Sequence, residues 1–176
     1  LYLAAAGLGQ LTLIDDDVVD LSNLQRQIIY RTQDISKPKT EIAKNTLLEL
    51  DPELEIIAIQ CRIDETNARD LLKNADLVID GCDNFSTRHL VNKICFELKT
   101  PLLSGALGRF DGQIAAFDYK NDSPCYQCFV PEAPIEAETC AQMGVVGAVA
   151  GIIGTMMALE AIKIITHAGD SLFGKI

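Results

Sequence analysis

Apolar positions along the first hundred residues alternate between helical and strand-like spacing. The opening LYLAAAGLG (1–9) is rich in Leu and Ala and stopped by glycines, as the last turns of a helix are. The strand-like LTLID (11–15) follows at once. Lys37-Pro38-Lys39 then introduces an amphipathic helix with Ile42, Leu47, Leu48 and Leu50 on or near one face, ending before Asp51-Pro52. EIIAIQ (55–60) reads as the next strand and 67–74 as a short helix. DLVID (76–80) has the length and type of a strand buried on both faces. A helix is expected over 86–98 with Ser86 as its N-cap, then strands PLLSGA (101–106) and GQIAAFDY (112–119). The last of these alternates as an antiparallel or edge element does, and Gly105, Gly108 and Gly112 mark turns between the two.

Strand and helix alternating through residue 106 predict an α/β fold with a doubly wound, mostly parallel sheet and helices on both faces. This is a Rossmann-like architecture with an antiparallel extension, in one domain over 1–176. No internal repeat or low-complexity segment interrupts it. The long irregular region is 121–142, with three prolines, an acidic patch and three cysteines; loops of that length are functional or disordered. VVGAVAGIIGTMMAL (145–159) raises the question of a membrane, because Gly147 and Gly151 stand four apart. The run is shorter than the roughly 20 apolar residues of a span, and Glu160 and Lys163 close it, so a buried core helix is expected instead. An open sheet covers only one face of such a helix, so something else must cover the remainder.

Composition narrows the classes. With 176 residues and 48% hydrophobic content the chain can bury a sizeable core. A net charge of -10 excludes a general nucleic-acid or acidic-membrane surface, so any phosphate must be held locally. Six cysteines include one tight CxxC, Cys125 and Cys128, with Cys61, Cys82, Cys95 and Cys140 scattered. Without a signal-peptide pattern this composition implies reduced thiols in the cytoplasm. Cys61, Cys82 and Cys95 read as ordinary core cysteines, and His89 and His167 are isolated.

Candidate chemistry is concentrated in LIDDDVVDLSNLQRQ (13–27). In nucleotide-binding doubly wound folds, a glycine-rich turn holds the phosphates and an acid about 20 residues later, at the end of the second strand, grips the ribose. Asp15 stands at a strand end in that role. The same spacing places the glycine turn before Leu1, so the first strand and its loop are expected outside the residues present. Asn23, Arg26 and Gln27 need a second reason. Arginine forks match phosphate oxygens bidentately, and neighbouring amides donate to the same oxygens. Lys39, at a helix start, adds charge where backbone N–H groups favour anions. The pattern is that of polyphosphate binding, against the alternative of a surface salt-bridge cluster. Asp83 follows DLVID at a carboxyl end of the sheet, where open α/β folds bind ligands. The alternative for Asp83 is a helix-capping acid, and Asn84 could assist either role.

Asp15-Asp-Asp17, Ser22-Asn-Leu-Gln-Arg-Gln27, Lys37-Pro-Lys39 and Asp80-Gly-Cys-Asp83-Asn84, in this order, closely resemble the ThiF/MoeB/HesA family of adenylating enzymes, prokaryotic relatives of the ubiquitin-activating enzymes. Cys125-Tyr-Gln-Cys128, Glu138-Thr-Cys140 and Glu160-Ala-Ile-Lys163 extend the likeness over essentially the whole chain. The resemblance implies an enzyme that uses ATP and magnesium to adenylate the C-terminal glycine of a small ubiquitin-like sulfur carrier ending in Gly-Gly, in thiamin or molybdopterin biosynthesis. It also implies a homodimer, with the glycine-bearing helix at or directly behind the interface. A sulfurtransferase or cysteine desulfurase is a further expected partner; nucleic acid and membrane are not.

Carried over by residue, Asp15 is the ribose ligand, Asn23, Arg26, Gln27 and Lys39 contact phosphates, and Asp83 engages magnesium, with Asn84 beside it. Arg26, Lys39, Asp83 and Cys140 form the expected catalytic set. No general base is required, because a carboxylate is already the nucleophile and catalysis can rest on positioning and charge neutralisation. Cys125 and Cys128 are half of a zinc site, whose remaining pair the family supplies downstream. Cys140 matches a position that in some members links covalently to carrier sulfur, although Glu136 and Glu138 are unhelpful neighbours for a thiolate. Two other readings remain: a catalytically silent scaffold of the same fold, and a relative that adenylates a modified tRNA base.

Overall fold

The computed structural model describes residues 1–120, 123–131 and 144–175. They fall into two compact units, Leu1–Ile63 and Asp64–Ile176. The first contains α1 (Tyr2–Ala5), β1 (Gln10–Ile14), α2 (Lys39–Leu48) and β2 (Glu55–Ile59). β1 and β2 pair in parallel from Gln10↔Glu55 to Ile14↔Ile59. Parallel pairing needs a crossover, and α2 supplies it by packing on both strands. Ala4, Leu47, Leu54 and Ile56 form the core here, with Leu8, Leu11, Leu13, Ile29 and Leu48 against it. Ile42 and Leu47 are buried as their spacing predicts, but Leu50 lies beyond the helix end and is 52% exposed.

The second unit contains α3 (Ala68–Leu72), β3 (Val78–Asp80), α4 (Phe85–Leu98), β4 (Leu102–Leu107), β5 (Gly112–Phe117), α5 (Tyr126–Phe129) and α6 (Gly147–Thr166). β3 and β4 are parallel, and β5 adds to β4 in antiparallel register, Leu102↔Phe117 through Leu107↔Gly112. The antiparallel extension is therefore present as the alternation of 112–119 predicts. Successive strand residues face opposite ways. Ser104 meets Arg88 of α4 on one face of β4, whereas a Cβ on Gly105 would point at Met157 of α6 on the other. Helices thus cover both faces of β4, and Leu102 through Gly105 are all buried.

Three local expectations change. Asn84, not Ser86, caps α4: its side chain accepts from Thr87 N at 2.8 Å, and the Ser86 hydroxyl donates to the same oxygen at 2.9 Å. β3 is not buried on both faces, since Ile79 is exposed between buried Val78 and Asp80. α6 is a 20-residue helix, long and apolar enough by length and composition to cross a bilayer. The charges that seemed to end the run are absorbed locally: Glu160 is buried, pairs with Lys163 at 2.6 Å and accepts from Leu172 N. The helix packs on β4 and β5 through Ile153 and Met157, while Ile152, Met156 and Leu159 on its other side are exposed.

Candidate active site

In the first unit the chemistry lies in the segment between β1 and α2. Strand β1 ends at Ile14, so Asp15 emerges at its carboxyl end. Its Oδ1 accepts from Asp17 N at 2.8 Å, which fixes the turn. Burial pushes the Asp15 carboxyl above its ordinary range, with Asp16 and Asp17 adding to the rise; the Asp17 N–H and the Lys39 charge work the other way. Carboxylate oxygens of Asp15, Asp16 and Asp17 lie within 4.8 Å of one another.

Lys39 opens α2 with its ammonium almost fully buried, 2.7 Å from Asp17 Oδ2. Its backbone N–H also donates to Asp17 O at 3.0 Å. The lysine's charge reaches the Asp15 carboxyl, but Asp17, whose separate role the sequence did not reveal, already balances that charge. Tyr30 donates to Lys39 O at 3.3 Å, and its phenol is pushed up to about 12 by burial and by the Asp15 and Asp17 charges. Asn23 ends a one-turn 3-10 helix, where Asp20 accepts from Ser22 N and Asn23 Oδ1 accepts from Asp20 N. Arg26 Nη1 donates to Ser22 O at 3.0 Å. Gln27 Oε1 is buried with no hydrogen-bond donor among the described residues, the situation that a ligand N–H or hydroxyl relieves.

In the second unit β3 delivers Asp80, and the turn after it delivers Asp83. With Asn84 serving as the cap, the Asp83 carboxylate is left exposed, and among the described residues it accepts no hydrogen bond and joins no ion pair. Asn84 is committed to the helix terminus. Behind this turn stand Asp80 and, from α4, Arg88. The two are buried together, Nη1 to Oδ2 3.5 Å. Arg88 also donates to Ser104 Oγ at 2.9 Å, to Gly105 O at 2.7 Å and to Cys82 O. Asp80 Oδ1 accepts from Cys82 N at 2.8 Å. This network ties the end of β3 and the middle of β4 to the turn that carries Asp83. A lone arginine inside a polar helix sequence gives no signal of it.

Cys125 and Cys128 face each other, Sγ to Sγ 3.5 Å. Two thiolates on a tetrahedral zinc with bonds of about 2.3 Å stand about 3.8 Å apart, so this pair fits half of such a site. Burial raises the Cys125 thiol, but bonds from the Cys128 backbone and side chain, from the Asn92 side chain and from the Gln127 backbone outweigh it, and the thiol titrates below its ordinary value. Cys95 is fully buried as a core cysteine should be, while Cys61 and Cys82 are only partly so. Cys140 lies outside the described residues.

The ThiF family profile matches residues 1–175. The chain is 41% identical to the molybdopterin-synthase adenylyltransferase of Salmonella typhimurium over 99% of its own length and 70% of that protein. It is 42% identical to the sulfur carrier protein ThiS adenylyltransferase of Escherichia coli K12, over 97% of this chain and 69% of that one. Among solved structures, E. coli MccB with ATP shares the fold at a TM-score of 0.77 and 23% identity, over 98% of this chain and 52% of that chain. The chain belongs to the ThiF family, and its kin are adenylyltransferases.

Proposed function

We propose that this chain adenylates the C-terminal carboxylate of a small ubiquitin-like sulfur carrier ending in Gly-Gly. The observation that carries the reading is its identity of about two residues in five, over nearly its whole length, to adenylyltransferases of sulfur-carrier and molybdopterin-synthase type. A carrier carboxylate oxygen attacks the α-phosphorus of ATP. The bond from that phosphorus to the bridging oxygen of the β-phosphate breaks, and pyrophosphate leaves with the electron pair. Asp15 takes the ribose hydroxyls. Arg26, Asn23 and Lys39 hold phosphate oxygens, with Lys39 passing from Asp17 to the more highly charged ligand, and Gln27 Oε1 takes a donor from the nucleotide.

Asp83 suits magnesium, a hard cation that prefers carboxylate oxygen and spreads the charge of the phosphates when bound. Zinc belongs at Cys125 and Cys128 as a structural ion, with two further thiolates from downstream. Free thiols at Cys61, Cys82, Cys95, Cys125 and Cys128 support a reducing, cytoplasmic setting. The exposed apolar side of α6 supports a homodimer, and the sulfur-carrier chemistry calls for a sulfurtransferase or cysteine desulfurase downstream. Cys140 is the candidate for a covalent link to carrier sulfur.

Full-length protein should exchange labelled pyrophosphate into ATP only when a Gly-Gly carrier is added. Arg26→Ala and Asp83→Ala should each slow exchange at least tenfold, about 1.4 kcal/mol in barrier, with circular dichroism unchanged. Carrier-independent exchange would assign a different substrate class, such as a modified tRNA base. No exchange under any condition would leave the silent scaffold.

A further inference from the structure

Asp80, Arg88 and Ser104 are 3, 6 and 4% exposed, so a carboxylate, a guanidinium and a hydroxyl meet out of water at the carboxyl end of β3. Each terminal nitrogen of the Arg88 fork carries two N–H groups, and all of them are used. Nη1 donates to Asp80 Oδ2 and Ser104 Oγ, Nη2 to Gly105 O and Cys82 O. Asp80 turns its other oxygen to Cys82 N at 2.8 Å. Both backbone polar groups of Cys82 therefore end on the buried pair. Its carbonyl belongs to the peptide plane that carries the Asp83 nitrogen, so that plane is fixed from inside. On the far side of Asp83, Asn84 Oδ1 accepts from Thr87 N at 2.8 Å and Asn84 O from Arg88 N at 3.3 Å. Asp83 thus stands between two anchored peptides, with its own carboxylate exposed and unengaged among the described residues.

We infer that Arg88 is the positioning residue of the Asp83 turn: held by Asp80, its guanidinium grips Cys82 so that the Asp83 carboxylate meets magnesium on the nucleotide without first having to be ordered. The inference rests on the magnesium reading of Asp83 above and deepens it. Energetics favour a positioning use over a stabilising one. A buried ion pair gains little over apolar packing of the same volume, because desolvation of both charges offsets their attraction. What the pair supplies is direction, since a planar fork takes several acceptors at fixed angles where a lysine ammonium offers only a point charge. Magnesium depends on direction, because it demands near-ideal octahedral geometry and is bound through few protein carboxylates. Ser104 and Gly105 lie inside β4, paired with Ala115 and Ile114 of β5, so the fork refers the turn to the sheet rather than to another loop.

The test is the ATP affinity of full-length protein, measured by calorimetry with magnesium and again in chelator, without carrier. The ratio of the two is the metal's contribution. Wild type should bind ATP more tightly with magnesium, and Asp83→Ala should lose that gain. Arg88→Lys keeps a charge beside Asp80 but loses the fork. It should cut affinity in magnesium about tenfold, the range for partners that orient a metal ligand, with affinity in chelator unchanged. Added to Asp83→Ala, Arg88→Lys should have no further effect. Tyr119→Phe removes a buried hydrogen bond to Asn92 in the same unit, and should lower the melting temperature while leaving the ratio as in wild type. If Arg88→Lys does not fold, Asp80→Asn combined with Arg88→Gln serves, since the neutral pair strands no charge. A wild-type ratio in the Arg88 variant, or an equal loss of affinity with and without magnesium, overturns the assignment of Arg88. No gain in wild type, or a full gain retained by Asp83→Ala, overturns instead the magnesium reading beneath it.

Discussion

Asp15 is held where its own charge is disfavoured, and the direction of that shift separates stability from function. Its folded-state pKa is raised, first by burial. The stability it contributes is therefore fully present below its unfolded-state value near 3.9 and is lost as pH rises through the raised folded-state value. At neutral pH the ionised group is a net cost to the fold. Asp15→Asn keeps an oxygen for Asp17 N and should melt at the wild-type temperature or above at pH 7, while carrier-dependent pyrophosphate exchange falls at least tenfold. A variant that loses stability along with activity would show that Asp15 is structural. Arg88 behaves in the opposite way. Removing it strands the buried Asp80 carboxylate, and broken buried pairs cost about 3–5 kcal/mol. Arg88→Leu should accordingly shift the urea midpoint far more than Asp83→Ala, which touches an exposed side chain without a hydrogen-bond or ion-pair partner among the described residues. Asp15, Arg26, Lys39 and Asp83 could be singled out in the sequence because their residue types and order suggest nucleotide chemistry. Asp17 and Arg88 were not, because their meaning comes from partners 22 and 8 residues away that only folding supplies.

At the scale of elements, periodicity placed the strands and long helices of the described residues to within a few positions. Errors fell where neighbours, not local pattern, decide. Nothing in DLVID distinguishes a strand covered on one side from one covered on both, so the exposure of Ile79 was invisible. Two glycines read as turn markers, Gly105 and Gly112, lie inside β4 and at the start of β5, where they make room for α6. A Cβ on Gly112 would lie 2.6 Å from Ile153 Cγ1 and 3.0 Å from the Ala106 carbonyl oxygen, and the backbone atom cannot give way. A Cβ on Gly105 would meet only the flexible end of Met157. Gly112→Ala should therefore cost about 1–3 kcal/mol by overpacking, and Gly105→Ala less, as read from urea midpoints at constant slope.

At the scale of the molecule, α6 poses an imbalance that the described residues do not resolve. Its packed side meets β4 and β5, yet Ile152, Met156 and Leu159 are 59, 50 and 61% exposed, a continuous apolar strip of the kind soluble proteins rarely leave to water. Gly151 and Gly154 stand beside this strip, and a Cβ on either would meet nothing within 4 Å. Spacing alone suggested that these glycines serve close packing, and among the described residues they serve none. A second copy meeting the helix isologously would use both the strip and the glycines. This separates two effects that one substitution usually mixes. Gly151→Leu should leave the subunit's own fold intact, and better helix propensity should stabilise it by about 0.5–1 kcal/mol. The same leucine would wedge into an interface and weaken dimerisation by about 1–3 kcal/mol, roughly 5- to 150-fold. Sedimentation at micromolar concentration should then show wild-type dimer and a monomeric, well-folded Gly151→Leu. A wild-type monomer that still adenylates its carrier would rule out the second copy, and an undisturbed Gly151→Leu dimer would move the interface away from α6.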